Sequence, residues 1–294
     1  MKVSVIIPTY NREKILALTL RSLVRQKGIS MDDMEVIICD DGSSDNTREL
    51  VEGMRAELDI HYLYQEDKGY RVALARNLGL KKARHDIVVL LDSGVAASEY
   101  CIAAHRDLHE SPQSKTVVIG EIYGYNYSMR SADLNQDFDF SRPDRSIDFF
   151  KVTQQYLDIR RENYNAVRGD LSLLPAPWTL FWTTNVSFSL AFVRQVGLFE
   201  ELFEGWGVED IELGYRLHKA GGRYALGERA AALHYPHERD STHQKESNLR
   251  NRELFMQLHD DDIVKRYMTS TALGFNLELL QRERHKAGKV LEVE

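Results

Sequence analysis

Apolar positions in the first third of the chain follow two alternating rhythms. Val3 to Ile7 (broken only by Ser4), Glu35 to Cys39, Ile60 to Tyr64 and Ile87 to Leu91 are short runs that predict strands. Between them the spacing changes to a helical one. Arg12 to Gln26 carries Ile15, Leu16, Leu18, Leu20, Leu23 and Val24 on a helical face. Asp45 to Leu58, with Ser44 or Asp45 as cap, and Val72 to Arg84 predict two more helices. Strand-length apolar runs alternating with helices predict an α/β domain whose mostly parallel sheet is covered on both faces. Ligands of such sheets lie at the carboxyl ends of the strands.

The rhythm breaks between Tyr123 and Trp178, a stretch rich in Tyr, Asn, Asp and Arg with one helix expected from Ser146 to Asn163. A polar insertion of this length predicts a functional loop or lid, or a partly disordered segment. Its aromatics, Tyr123, Tyr125, Tyr127, Phe138, Phe140, Phe149 and Phe150, suit either sugar stacking or a satellite core, and the core is the simpler reading. A strand is expected within Phe181 to Phe188 and a helix from Val208 to Ala220, ended by Gly221 and Gly222. Arg223 to Leu226 and Ala230 to Leu233 predict two short strands, and His243 to His285 two helices. The organisation expected is a domain over 1–240, divided into 1–120, the insertion 121–178 and 179–240, then a helical extension over 241–294.

Composition narrows the function. The chain has 294 residues, 43% of them hydrophobic, and 38 Lys+Arg against 45 Asp+Glu give a net charge of -7. A mildly acidic protein is a poor match for non-specific nucleic-acid binding. Cys39 and Cys101 predict reduced thiols of a cytoplasmic protein rather than a disulfide. The apolar run after Met1 and Lys2 is too short for a secretory signal. No run of about 18 apolar residues predicts a transmembrane helix. The basic cluster Arg282, Arg284, His285, Lys286 and Lys289 suits a peripheral membrane contact or, more simply, a solvated helix end.

Three strands end in polar clusters: Pro8-Thr9-Tyr10-Asn11-Arg12, Asp40 to Asp45, and Asp92-Ser93-Gly94. One Asp-Gly-Ser after a strand is ordinary turn chemistry. Three in register predict a crevice. No Gly-x-Gly-x-x-Gly or Walker-type loop follows the first strand, which disfavours dinucleotide oxidoreductases and P-loop phosphotransferases.

The run Val3 to Arg12 resembles the opening of family 2 glycosyltransferases with the GT-A fold. Cys39 to Thr47 is similar to that family's second signature, and Gly69-Tyr70-Arg71 with Ala75 to Gly79 to its third. Phe203 to Asp210 resembles the Trp-Gly-x-Glu-Asp element of the galactosyltransferase-like part of chondroitin-polymerase-type enzymes. The resemblance implies a soluble inverting glycosyltransferase using a nucleotide-sugar, UDP-hexose or UDP-N-acetylhexosamine. Pro8, Thr9, Tyr10, Arg12, Asp41, Arg71, Asn77 and Asp92 would hold the donor, Tyr10 against the base and Asp41 on base or ribose. For Arg76 and Asn77 a helix-start packing role stands equally open. Trp206, Gly207 and Glu209 would face the acceptor, which is a carbohydrate, small molecule or peptide. Asp210 would be the general base. The plainer reading of Glu209 and Asp210 as acids in a helix first turn is outweighed by their setting.

One signature departs from the family. Asp92-Ser93-Gly94 stands where Asp-x-Asp is usual, so the second carboxylate is missing. Mn2+ or Mg2+ on Asp92 and His234 is the expectation, with His237 a weaker candidate. Altered metal use, with Lys or Arg carrying the leaving-group charge, is the other possibility. The missing carboxylate also motivates a rival, a non-catalytic sugar-nucleotide or glycan-binding protein, against which the Trp206 to Asp210 element argues.

Overall fold

The computed structural model describes residues 1–125, 130–236, 241–271 and 273–291. Eight strands form one sheet: β1 (Val3–Thr9), β2 (Met34–Asp40), β3 (Asp59–Tyr64), β4 (Ile87–Leu91), β5 (Val95–Ala97), β6 (Thr116–Tyr123), β7 (Asn185–Ser189) and β8 (Arg223–His234). Their order is β3-β2-β1-β4-β7-β6-β8-β5. The β3-β2-β1-β4 half is wholly parallel, as its apolar runs predict. β7 enters antiparallel between β4 and β6, and β5 runs antiparallel to β8.

Helices α1 (Glu13–Val24), α2 (Thr47–Gly53), α3 (Val72–Lys82) and α4 (Cys101–Asp107) belong to the first third. The insertion contributes α5 (Pro143–Thr153) and α6 (Arg161–Ala166). The remainder adds α7 (Leu190–Val196), α8 (Glu209–Lys219), α9 (Ser241–Leu258), α10 (Asp262–Met268) and α11 (Phe275–Leu291). Alternate residues of each strand supply two cores. Ile6, Ile37 and Leu90 pack on one face with α3, α7 and α8, while Val5, Val36 and Val89 pack on the other with α1. The burial of both faces is what makes the strands apolar throughout.

Several expectations shift. The single helix expected from Ser146 to Asn163 is two, because Gln154 and Tyr156 adopt positive φ (57° and 48°) and break it. The two short strands after residue 222 are one twelve-residue strand, with exposed Glu228 and Arg229 in the middle imitating a turn. The strand expected from Phe181 starts only at Asn185, and the final region holds three helices rather than two.

The insertion is fastened to the sheet. Asp158 accepts from the Ile122 amide at 3.0 Å, and Arg160, paired with Asp158 at 2.7 Å, donates to the carbonyls of Gly120 and Leu180. Both side chains are buried, so each charge is compensated within hydrogen-bond range. Phe138, Phe150 and Tyr156 pack with ring centroids 4.9 to 5.0 Å apart, forming the satellite core. Tyr127 lies outside the described residues.

Candidate active site

The carboxyl ends of β1, β2 and β4 open on a cavity of about 460 Å³. Loops shape each tip. Asn11, at φ 50°, accepts from the Ser44 amide at 2.8 Å, and its own amide donates to Ser43 Oγ at 2.8 Å, lacing the first loop to the second. The acid doublet after β2 divides its work. Asp40 accepts from the amides of Gly42 and Ser43 and from Tyr62 Oη, and so builds the turn. Asp41 lines the cavity. Gly42 has φ 99°, and a Cβ there would stand 2.5 Å from the Asp67 backbone, so only glycine fits.

Pro8, Thr9, Tyr10 and Arg12 line the cavity with Asp41. Tyr10 is 43% exposed and donates to Asp67 at 2.8 Å. Asp41 is buried and accepts from the Arg71 amide at 2.7 Å and from Gln65. Burial pushes its carboxyl above the usual range, against the opposing pull of Gln65 and Arg71. Arg71 itself is not a lining residue: its guanidinium lies 3.9 Å from Asp41 and donates to the Glu66 carbonyl, which makes it a brace for that carboxylate.

On α3 the neighbours Arg76 and Asn77 point about 100° apart. Arg76 reaches the cavity, donating from Nη1 to Glu209 at 2.9 Å and from Nη2 to Asp92 at 3.0 Å. Asn77 turns away and exchanges hydrogen bonds of 2.9 Å with both backbone groups of Phe199, pinning the loop after α7. It is not among the lining residues.

Asp92 follows β4, where Leu91 pairs with Asn185, and the register sets Thr184 beside it. Thr184 Oγ1 donates to Asp92 Oδ2 at 3.3 Å. Val95 pairs with His234, which brings the end of β8 alongside the Asp92 to Gly94 turn. Both Asp92 and His234 line the cavity. Gly94 has φ 95°, a backbone that suits glycine, and an added Cβ would come within 3.1 Å of Ile15. His237 lies outside the described residues.

The last wall begins at Trp206. Gly205 and Gly207 have φ 76° and 94°, and Val208, a β-branched residue, has φ 79° immediately before α8. Such a conformation costs about 1–3 kcal/mol and points to an over-determined loop. Its product is the first turn of α8, with Glu209 and Asp210 both at the cavity. Burial first, and the adjacent Glu209 carboxylate second, push Asp210 up to about 8, with Arg76 opposing. Among the buried lining atoms, Thr9 Oγ1, Arg76 Nε and Glu209 Oε2 have no hydrogen-bond partner in the protein. Buried polar atoms rarely go unpaired unless a ligand or water answers them.

Arg76, which the sequence leaves open between packing and donor contact, is a lining residue. Tyr125, an insertion aromatic that the sequence leaves between sugar stacking and a satellite core, lines the cavity with Tyr70 and Trp182, which the sequence expectations do not place there. Gln244, Asn248 and Arg252 project from α9, and Tyr267 and Ser270 from the segment after it. The spacing of four between the α9 residues is the signal that was available.

A second acid cluster is elsewhere. Glu35, Asp59 and His61 bring ligand atoms within 4.8 Å of one another at the amino ends of β2 and β3, away from the cavity. Arg84 already sits among them, 2.9 Å from Glu35 and 3.1 Å from Asp59. A guanidinium occupies the place a cation would take.

Polar tips of parallel strands, met by the antiparallel β7 and by the loop before α8, define a protein of the GT-A class. Residues 4–166 match the family described as Glycosyl transferase family 2, and residues 170–238 match the N-terminal domain of galactosyltransferase. The chain belongs to glycosyl transferase family 2. It is 37% identical over 271 residues to validoxylamine A glucosyltransferase of Streptomyces hygroscopicus subsp. jinggangensis, covering 92% of this chain and 64% of that one. It is 32% identical over 237 residues to chondroitin synthase of Escherichia coli, covering 79% and 34%. It therefore spans less than two thirds of the length of either relative. Among solved structures, S. aureus TarS 1-349 with UDP-GlcNAc superposes with a TM-score of 0.60 at 21% identity, covering 87% of this chain and 66% of that one. A mannosyltransferase of Pyrobaculum calidifontis with GDP-Man and Mn2+ gives 0.56 at 17% identity, covering 99% and 79%. Both establish likeness of fold. Among the described residues no helix is long and apolar enough to cross a membrane.

Proposed function

We propose that the chain is an inverting glycosyltransferase that moves a hexose or N-acetylhexosamine from a UDP-sugar to an acceptor nucleophile. The observation that carries this reading is the single cavity shared by Tyr10, Asp41, Asp92 and Asp210. These four residues come from three strand tips and one helix start. The named activities of the relatives, a glucosyltransferase and a chondroitin synthase, favour a nucleotide-sugar donor. The buried, unpartnered Thr9 Oγ1 and Glu209 Oε2 favour a polar ligand at the same place.

In this reading Tyr10 stacks on the base and Asp41 accepts from the base or ribose. Arg12 stands near the diphosphate. Asp210 takes the acceptor proton as its oxygen attacks the anomeric carbon, while the bond to the diphosphate breaks on the opposite face. Glu209 accepts from a sugar hydroxyl. Asp92 and His234 both line the cavity and would hold Mn2+ or Mg2+, since a carboxylate and an imidazole suit such ions. Such an ion, when bound, supplies charge neutralisation to the departing UDP. A cytoplasmic setting belongs to the same proposal and is supported by Cys39 and Cys101, both buried and free.

Mass spectrometry of donor consumption across a panel of UDP- and dTDP-sugars, with glycoside, small-molecule and peptide acceptors, tests the reading. Consumption of a UDP-sugar with a glycosylated product is expected. Tight UDP binding with neither hydrolysis nor transfer of any donor favours the rival, a non-catalytic sugar-nucleotide-binding protein. That rival draws on the missing second carboxylate at Gly94.

A further inference from the structure

We propose that α9 carries the acceptor subsite and that this subsite takes a neutral, polyhydroxylated ring. The proposal rests on the glycosyltransferase reading above and adds a place and a substrate class to it. Gln244, Asn248 and Arg252 lie four residues apart, so they share one face of α9, and all three line the cavity.

The helix is fixed against the reacting groups. Ser247 Oγ accepts from the Trp206 amide at 3.0 Å, and Asn251 Nδ2 donates to the Gly207 carbonyl at 2.8 Å. A Cβ on Gly205 would stand 2.4 Å from Ser247, and one on Gly207 would stand 2.6 Å from the Asn248 amide nitrogen. The glycines are what allow this approach. At the far end His259 bonds Glu212 of α8 at 2.8 Å, and Arg252 donates to the Met268 carbonyl. A wall tied at both ends to the helix that bears Asp210 holds its side chains in register with that carboxylate.

Asp210 shares the cavity with Arg76 of α3 on the strand side and with Tyr267 of α10. The strand side is taken by the donor in the proposed reading, which leaves the α9 and α10 side for the attacking molecule. Amide side chains both donate and accept, as hydroxyl groups require. The Trp206 ring offers a flat apolar face of the kind a sugar ring's C–H bonds cover. Charge selects further. Asp41, Asp92 and Glu209 line the cavity against Arg12, Arg76 and Arg252, and Asp210, which holds a proton up to about 8, adds no charge near neutral pH. Arg76 is already shared by Asp92 and Glu209, and a donor would bring its own diphosphate. Arg252, the cation on this face of α9, donates to the Met268 carbonyl, so an acceptor with a carboxylate or phosphate would find no uncommitted cation on that face.

The test is a binding titration of the full chain with UDP present, read by saturation-transfer NMR, using p-nitrophenyl β-D-glucopyranoside and p-nitrophenyl β-D-glucuronide as matched probes. The glucoside is expected to bind at least about tenfold more tightly than the glucuronide, the cost of desolvating a carboxylate that gains no partner. Gln244→Ala and Asn248→Ala are each expected to weaken the glucoside about fivefold, one hydrogen bond's worth. Their UDP affinity should stay within about twofold, which also reports that they are folded. Asn248 packs on Gly207, so Gln244→Ala is the variant that avoids disturbing that loop. The proposal is overturned if the wild type does not bind the glucoside, if the glucuronide binds equally well, or if Gln244→Ala leaves the glucoside unchanged. Failure of UDP to bind the wild type would instead count against the donor reading, and the glucoside titration would still report on α9.

Discussion

Arg76 and Glu209, 133 positions apart in the chain, meet at 2.9 Å, and the same guanidinium holds Asp92 at 3.0 Å. One buried cation thus joins the tip of β4 to the start of α8. Removing it leaves the buried Glu209 without its partner. Arg76→Met is expected to lower stability by about 3–5 kcal/mol, measured by urea unfolding. A loss below the scatter of that measurement would mean the bridge is not formed in solution.

Asp210→Asn should keep UDP binding and lose transfer by about two to four orders of magnitude, the usual worth of a general base. Its effect on stability has the opposite sign. The folded chain holds a proton on Asp210 up to about 8, whereas the unfolded chain releases it near 3.8. The folded state therefore binds more protons across that window, and its stability falls as pH rises through it. The asparagine removes this penalty, so the variant should unfold at a higher temperature than the wild type at the top of the window. The difference should shrink towards the bottom. Equal melting temperatures across the whole window would show that Asp210 is not raised.

The same proton governs rate. A base is competent only when ionised, so kcat/KM should rise with pH through about 8. Glu209 is the second cause of the elevated value, after burial. Glu209→Gln should move the acidic limb of the profile to lower pH, whatever it does to the plateau. An unmoved limb would assign the titration to another group.

Gly94→Asp rebuilds the family's Asp-x-Asp in sequence but not in geometry. At φ 95° the new residue is strained, and its Cβ presses on Ile15. A loss of about 1–3 kcal/mol is expected, with no gain in Mn2+ affinity by calorimetry. A variant as stable as the wild type that binds Mn2+ more tightly would overturn this account of the turn.

The strand tips were legible because each signature is local: an apolar run, then a polar turn. Asp41 and Asp92 could be assigned to the crevice on that basis. Arg76 could not, since its partners are Asp92 and a glutamate on a distant helix, and its neighbour Asn77 looks equally polar while serving Phe199. β8 was divided in the sequence because Gly227, Glu228 and Arg229 imitate a turn, although the strand continues past a register shift opposite Gly120. The insertion reads as a loop or lid because it is long and rich in Tyr, Asn, Asp and Arg, yet two of its charged residues, Asp158 and Arg160, are spent on Ile122, Gly120 and Leu180.

Ser247 and Asn251 lie beyond residue 238, where the second family match stops, and yet they hold the backbone of Trp206 and Gly207. A fragment cut after β8 would retain every recognisable motif while losing the struts of the loop before α8. Truncations and chimeras drawn to motif boundaries would inherit that loop's residues without the contacts that hold them. The working unit extends at least through α9.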